Sequence, residues 1–114
     1  MGVVYYANYF VWFEVGRTEL LRSLGGSYRE LEAEGVLLPV IAARCEYFQP
    51  ARYDDEVEIR TMSTLLSPAR VVFDYEAVRL ADGLRLASGQ TEHAAVSSNG
   101  RPCRLPERIR NLLS

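Results

Sequence analysis

A chain of 114 residues, 48% apolar and 25% charged, has the size and composition of one globular domain, small enough to gain from covering surface with a second copy. Its 13 basic residues are all arginine and face 15 acids, for a formal charge of -2, so no global positive field exists to hold nucleic acid. No apolar run approaches the roughly 18 residues that span a bilayer, and the start lacks the basic and small-residue pattern of a signal peptide, which predicts a cytoplasmic protein without a membrane span.

The first seventeen residues carry the most information. A glycine-led extended run, Gly2-Val3-Val4-Tyr5-Tyr6-Ala7, turns straight into an aromatic helix at Asn8. The first turn of a helix has backbone N–H groups without intrahelical partners and the positive end of the macrodipole, so such a junction can hold a polarised or anionic oxygen. The helix is apolar on more than one side, with Tyr9, Phe10, Trp12, Phe13, Leu20, Leu21 and Leu24 spread around it, which predicts that other elements wrap it. Asn8 suits its N-cap and Gly25-Gly26 its C-terminal stop.

Ser27 to Gly35 reads as a second, short helix with a serine cap, a glutamate three residues on and a closing glycine. From Val36 the period changes from helical to alternating. Strands are predicted over 36–47 with a break at Pro39, over 56–65, over 69–80 and over 84–96, the last two joined by Asp82-Gly83 as a type I′ hairpin. Pro106 opens a final helix with Leu105, Ile109, Leu112 and Leu113 as its apolar stripe. A buried helix followed by a meander of strands is an α+β arrangement in which an antiparallel sheet curls around the helix.

The N-terminal segment resembles the signature of the hotdog-fold acyl-CoA thioesterases, the group of 4-hydroxybenzoyl-CoA thioesterase, in which Asp-x-x-Gly-[Val/Ile]-Val-x-[Tyr/His]-x-Asn-Tyr leads into a helix bearing an acid and then an arginine. Gly2 to Tyr9, Glu14 and Arg17 match it. The stretch from Cys45 through Pro50-Ala51-Arg52-Tyr53 to Glu56 is similar to the family's Tyr-x-x-Pro-Ala-x-Tyr-Gly-Asp turn, and Ser88 to His93 with Gly100 to Pro106 to its last strand and tail. The resemblance implies one hotdog domain over residues 1–114, with the beginning of its first strand and the family's catalytic aspartate lying upstream of Met1.

It further implies hydrolysis of a small or medium acyl-CoA by a carboxylate, as nucleophile or as the base for water, with the Tyr6 backbone N–H as oxyanion donor. One branch of the family carries histidine at that position; this chain has tyrosine. Gly2, Val3 and Glu14 become substrate contacts, Glu14 because the matching helix acid lines the acyl pocket, with an i, i+3 ion pair to Arg17 as the alternative. Ser67 and Arg70, in the loop before a strand, become contacts for the phosphates of coenzyme A. A catalytically silent acyl-CoA-binding or protein-binding subunit is the second reading.

Neither metal nor redox cofactor is expected. Cys45 and Cys103 have no metal-ligand spacing and form no disulfide framework, and His93 is the one histidine of the chain. With no nucleophile elbow to serve, His93 reads as a sheet or interface hydrogen-bonding residue. Strand edges left open by a thin sheet predict a homodimer or homotetramer.

Overall fold

The structure, a computed structural model, describes residues 8–114. The expected contacts at Gly2, Val3 and Tyr6 lie outside the described residues.

Helix α1, Asn8–Ser23, is the longest helix. It ends as the paired glycines predict, with the Gly26 N–H donating to the Leu21 carbonyl at 2.9 Å and the Gly25 N–H to that of Arg22 at 3.0 Å. Those two bonds form a Schellman closure. Helix α2, Tyr28–Ala33, is capped by Ser27, whose hydroxyl accepts from the Glu30 N–H at 3.1 Å. The Glu30 carboxylate does not complete the capping box; it binds Arg108 instead.

The strand expected over 36–47 breaks at Pro39 into β1, Val36–Leu37, and β2, Val40–Tyr47. Then come β3, Val57–Ser67, β4, Arg70–Arg79, β5, Arg85–Ala94, β6, Val96–Ser97, and α3, Glu107–Leu113. Strands β2 to β5 form one antiparallel sheet in the order β2-β5-β4-β3, while β1 pairs with β6. Helices packed on one face of an antiparallel sheet give the expected α+β hotdog arrangement.

The link between β4 and β5 differs from the expected two-residue turn. Asp82 does not take the positive φ that type I′ requires; Gly83 does, at 71°. The Asp82 carboxylate is engaged elsewhere, accepting from the Leu84 N–H at 3.1 Å and from Arg79 at 3.2 Å. A longer loop closes the hairpin, with the Arg79 N–H donating to the Leu84 carbonyl at 2.9 Å.

Two glycines seat α1 on the sheet. A Cβ at Gly89 of β5 would land on the Phe13 ring, and one at Gly16 would stand 2.7 Å from Thr61 Oγ1 and 2.9 Å from Ile59 Cγ2 on β3. Phe13, fully buried, lies flat on Tyr75 with centroids 4.4 Å apart and planes 12° from parallel. Gly89→Ala therefore displaces a packed ring and should lower stability by about 1 to 3 kcal/mol in urea denaturation. Wild-type stability in that variant would mean that Phe13 does not rest on β5.

Among the described residues, the sheet covers α1 on one side. Tyr9, Phe13 and Leu21 are buried, whereas Val11 and Val15 remain 57% and 56% exposed. The wrapping expected from the sequence is thus supplied to one face by this chain's own elements. Val40 and Ile41 of β2 are exposed as well, and β2 and β3 are the outer strands of the sheet among the described residues. No helix among the described residues is long and apolar enough to cross a membrane.

Candidate active site

Among the described residues, clefts flank α1 on two sides. The larger, about 810 Å³, lies between α1, β3 and the loop at Arg52–Asp55, and its walls include Trp12, Val15, Leu20, Val57 and Ile59. Near the middle of β3, Thr61 lines it, its hydroxyl buried and without a hydrogen-bond partner among the described residues. The smaller, about 500 Å³, lies between α1, α2 and the apolar segment Leu37–Pro39, and Glu14, Arg17, Thr18, Tyr28 and Glu32 line its helical side.

Glu14 is exposed at the second cleft, one helical turn from Arg17. The two do not pair. Arg17 is half-buried and points to the sheet, where its Nη1 reaches the Tyr75 hydroxyl at 3.5 Å. Beyond Tyr75 runs a buried chain of hydrogen bonds: Tyr75 to Thr91 at 2.6 Å, Thr91 to His93 Nε2 at 2.8 Å, and His93 Nδ1 to the Leu38 carbonyl at 3.0 Å.

The direction of this chain follows from its end. A carbonyl oxygen only accepts, so His93 Nδ1 carries the proton and neutral Nε2 accepts from Thr91. The Thr91 oxygen then accepts from Tyr75, and the Tyr75 oxygen is left to accept from Arg17. Burial pushes the His93 pKa down, the Leu38 carbonyl opposing and Arg17 adding to the shift.

Neutral His93 therefore contributes stability that is fully present above the ordinary histidine value of 6.5 and is lost as pH falls from there through the depressed folded-state value. A His93→Gln variant should show a smaller loss of stability between pH 7 and pH 5 than the parent, read by urea midpoints. An identical pH slope in the two proteins would mean that His93 does not stay neutral in the fold.

Ser67 and Arg70 sit together at the turn between β3 and β4, as mutual partners in the ladder. Arg70 stands on the sheet face turned away from α1 and pairs with Glu92 at 3.1 Å. The Ser67 hydroxyl accepts from the Ala69 N–H at 3.2 Å. The structure thus groups Ser67 with Arg70 and, separately, Glu14 with Arg17 and Tyr28. Cys45 of β2 pairs with Gly89 and is half-buried, so its neighbour Glu46 is on the outer, exposed face.

Arg17 as an inward residue, Tyr28, Tyr75 and Thr91 escape the sequence reading. One signal was available: Thr91 and His93 are two apart in a strand and so share a face. The expected hydrogen-bonding role of His93 in the sheet is what its contacts show. Among the described residues no group of His, Cys, Asp or Glu could hold a metal ion, and both cysteines are free thiols.

Comparison with known proteins places these features in a family. The sequence model of the thioesterase superfamily matches residues 1–85. The acyl-CoA thioester hydrolase YbgC of Escherichia coli O6:H1 is 40% identical over 83 residues, covering 73% of this chain and 62% of that protein. The chain thus spans about three fifths of the length of that curated relative. A hypothetical protein from Thermus thermophilus superposes with a TM-score of 0.90 at 36% identity, over 99% of this chain and 85% of that one. The DHNA-CoA thioesterase from Staphylococcus aureus superposes with a TM-score of 0.85 at 32% identity, over 91% of this chain and 70% of that one. With three quarters of its length matched by the family and a whole-chain superposition beside it, the chain belongs to the thioesterase superfamily.

Proposed function

We propose that the protein is an acyl-CoA thioesterase acting on small or medium acyl groups. The observation that carries this reading is the family match over residues 1–85, which takes in the Gly2-to-Arg17 segment and the turn bearing Ser67 and Arg70. Water is consumed, the thioester C–S bond breaks, and a carboxylic acid and the coenzyme A thiol leave. A carboxylate, matching the family aspartate three residues before the glycine, attacks the carbonyl or takes the proton from water. The Tyr6 backbone N–H stabilises the charge on the carbonyl oxygen. Gly2 and Val3 flank the reacting end, and Glu14 contacts the acyl group from α1.

Release of free thiol from hexanoyl-CoA tests the reading directly. Absence of turnover with coenzyme A binding retained would favour the silent acyl-CoA-binding subunit. Glu14→Gln should alter KM and acyl preference while kcat persists; a fall in kcat of about 10⁴ would instead make Glu14 the attacking group.

At the nucleotide end, Arg70 is exposed and held by one carboxylate, so its exchange from Glu92 to a phosphate costs little. Arg70→Ala should raise KM for acyl-CoA about fivefold with little change in kcat, because a remote phosphate contact binds ground and transition states alike. High salt should mimic it. An unchanged KM removes Arg70 from the site.

The bare face of α1 and the outer strand β2 support a homodimer, or a dimer of such dimers. Sedimentation showing only monomer at micromolar concentration would overturn the assembly.

A further inference from the structure

We propose that Arg17 and Tyr28 form a subsite for a carboxylate in the cleft between α1, α2 and Leu37–Pro39, which on the thioesterase reading above receives the far end of an acyl group that carries a second acid. The inference deepens that reading by naming a substrate class, the coenzyme A esters of dicarboxylic acids.

The charge at Arg17 is the first reason. Arg79, the half-buried arginine of β4, binds Asp55 and Asp82 at 3.2 Å each. Arg17 is also half-buried, yet no carboxylate lies within ion-pairing distance of it among the described residues, and the groups it faces are neutral phenols, Tyr75 at 3.5 Å and Tyr28. Tyr75 cannot neutralise it. The directed chain through Thr91 and His93 to the Leu38 carbonyl commits the Tyr75 proton to Thr91 and leaves only a neutral oxygen for the guanidinium. A partly desolvated cation without a counter-charge is costly unless a ligand supplies one.

Tyr28, beside Arg17, is the second reason. Its hydroxyl oxygen is shielded from solvent and faces the Arg17 guanidinium, which can only donate, so no group among the described residues accepts the phenol proton. Burial raises its pKa to about 12, against the pull of the facing Arg17, so the phenol keeps its proton and is a donor. A guanidinium and a phenol proton on one cleft wall are completed by a group that accepts from both. A carboxylate does so with its two oxygens. A hydroxyl fits less well, since it adds no negative charge.

Glu14 and Glu32 also line the cleft. Both are exposed, so water and salt screen them, whereas Arg17 and the Tyr28 oxygen are the sheltered groups. Their presence weakens binding of a dianion more than that of one carboxylate. The network behind Arg17 makes Tyr75, Thr91 and His93 positioning residues that hold the guanidinium toward the cleft.

The test compares glutaryl-CoA, its neutral monomethyl ester, 5-hydroxypentanoyl-CoA and hexanoyl-CoA on the parent, Arg17→Gln and Tyr28→Phe. The parent should show the lowest KM for glutaryl-CoA. Arg17→Gln should raise the ratio of the KM for glutaryl-CoA to that for hexanoyl-CoA by about 10 to 100-fold, the scale of a charge-assisted hydrogen bond. Tyr28→Phe, which keeps the ring and its packing, should raise it several-fold, so the inference survives a failure of Arg17→Gln to fold.

Calorimetric titration with free glutarate separates a substrate carboxylate from a free acid and needs no turnover. Glutarate binding that both variants lose, in a protein inactive on every thioester, would keep the subsite and overturn the enzyme. Hydrolysis of hexanoyl-CoA with no preference for glutaryl-CoA, or with a KM ratio unmoved by Tyr28→Phe and Arg17→Gln, would keep the enzyme and overturn the subsite. A preference for the hydroxyacyl ester over glutaryl-CoA would overturn the carboxylate.

Discussion

Phe13→Ala should cost about 3 to 5 kcal/mol of folding stability, the usual range for deleting a buried aromatic ring that its neighbours cannot replace. The ring is fully buried, stacked on Tyr75 at 4.4 Å and pressed against the bare backbone of Gly89. Collapse into the cavity is restricted because the sheet beneath is hydrogen-bonded on both sides: β5 pairs with β2 and with β4 across the contact. A domain of this size has roughly 5 to 15 kcal/mol in all, so the variant should unfold near room temperature or in very dilute urea. Phe13→Leu should lose much less. Loss of under about 1 kcal/mol in Phe13→Ala would show that α1 is held by its ends, through the Gly25-Gly26 closure and Tyr9, and not by this central contact.

That contact explains which parts of the molecule are legible from sequence. The alternation in Val57-Glu58-Ile59-Arg60-Thr61-Met62 is a local signal, and the half-buried and exposed residues of β3 follow it without exception. The capping serine at 27 and the glycines at 25 and 26 act within a few residues of themselves, so helix ends are readable too. Gly89 is different. It looks like an ordinary strand glycine until the register sets it opposite Tyr75 and under Phe13, residues distant in the chain.

The same limit applies to the polar groups. An acid and an arginine three apart on a helix read as an ion pair, but Arg17 finds Tyr75, 58 residues away, and turns inward. Nothing local marks Tyr28 as the phenol that will stand beside it with its proton unused. The Asp82-Gly83 pair signals a reversal, and a reversal occurs, but Arg79 draws the aspartate carboxylate into a longer loop. Local pattern chooses the elements; side chains from remote segments choose the details that carry chemistry.

The oxyanion donor is where a backbone group, invisible to side-chain comparison, should matter most. Tyr6→Phe and Tyr6→Ala keep the N–H and should leave kcat within a few-fold of the parent on a good acyl-CoA substrate. Tyr6→Pro removes it. Loss of one such donor costs about 100 to 1,000-fold in kcat, because the bond strengthens as charge gathers on the carbonyl oxygen and is weak in the ground state. KM should therefore change far less than kcat. Tyr6 precedes the first residue of α1, Asn8, by two positions, where proline is compatible with the start of a helix, so α1 and its contacts with β3 should persist in the circular dichroism and urea midpoint of the variant. A Tyr6→Pro protein with parental kcat would place the donor elsewhere. A Tyr6→Phe protein that loses activity as severely would move the role from the backbone to the phenol, and with it the proposed chemistry of the first turn.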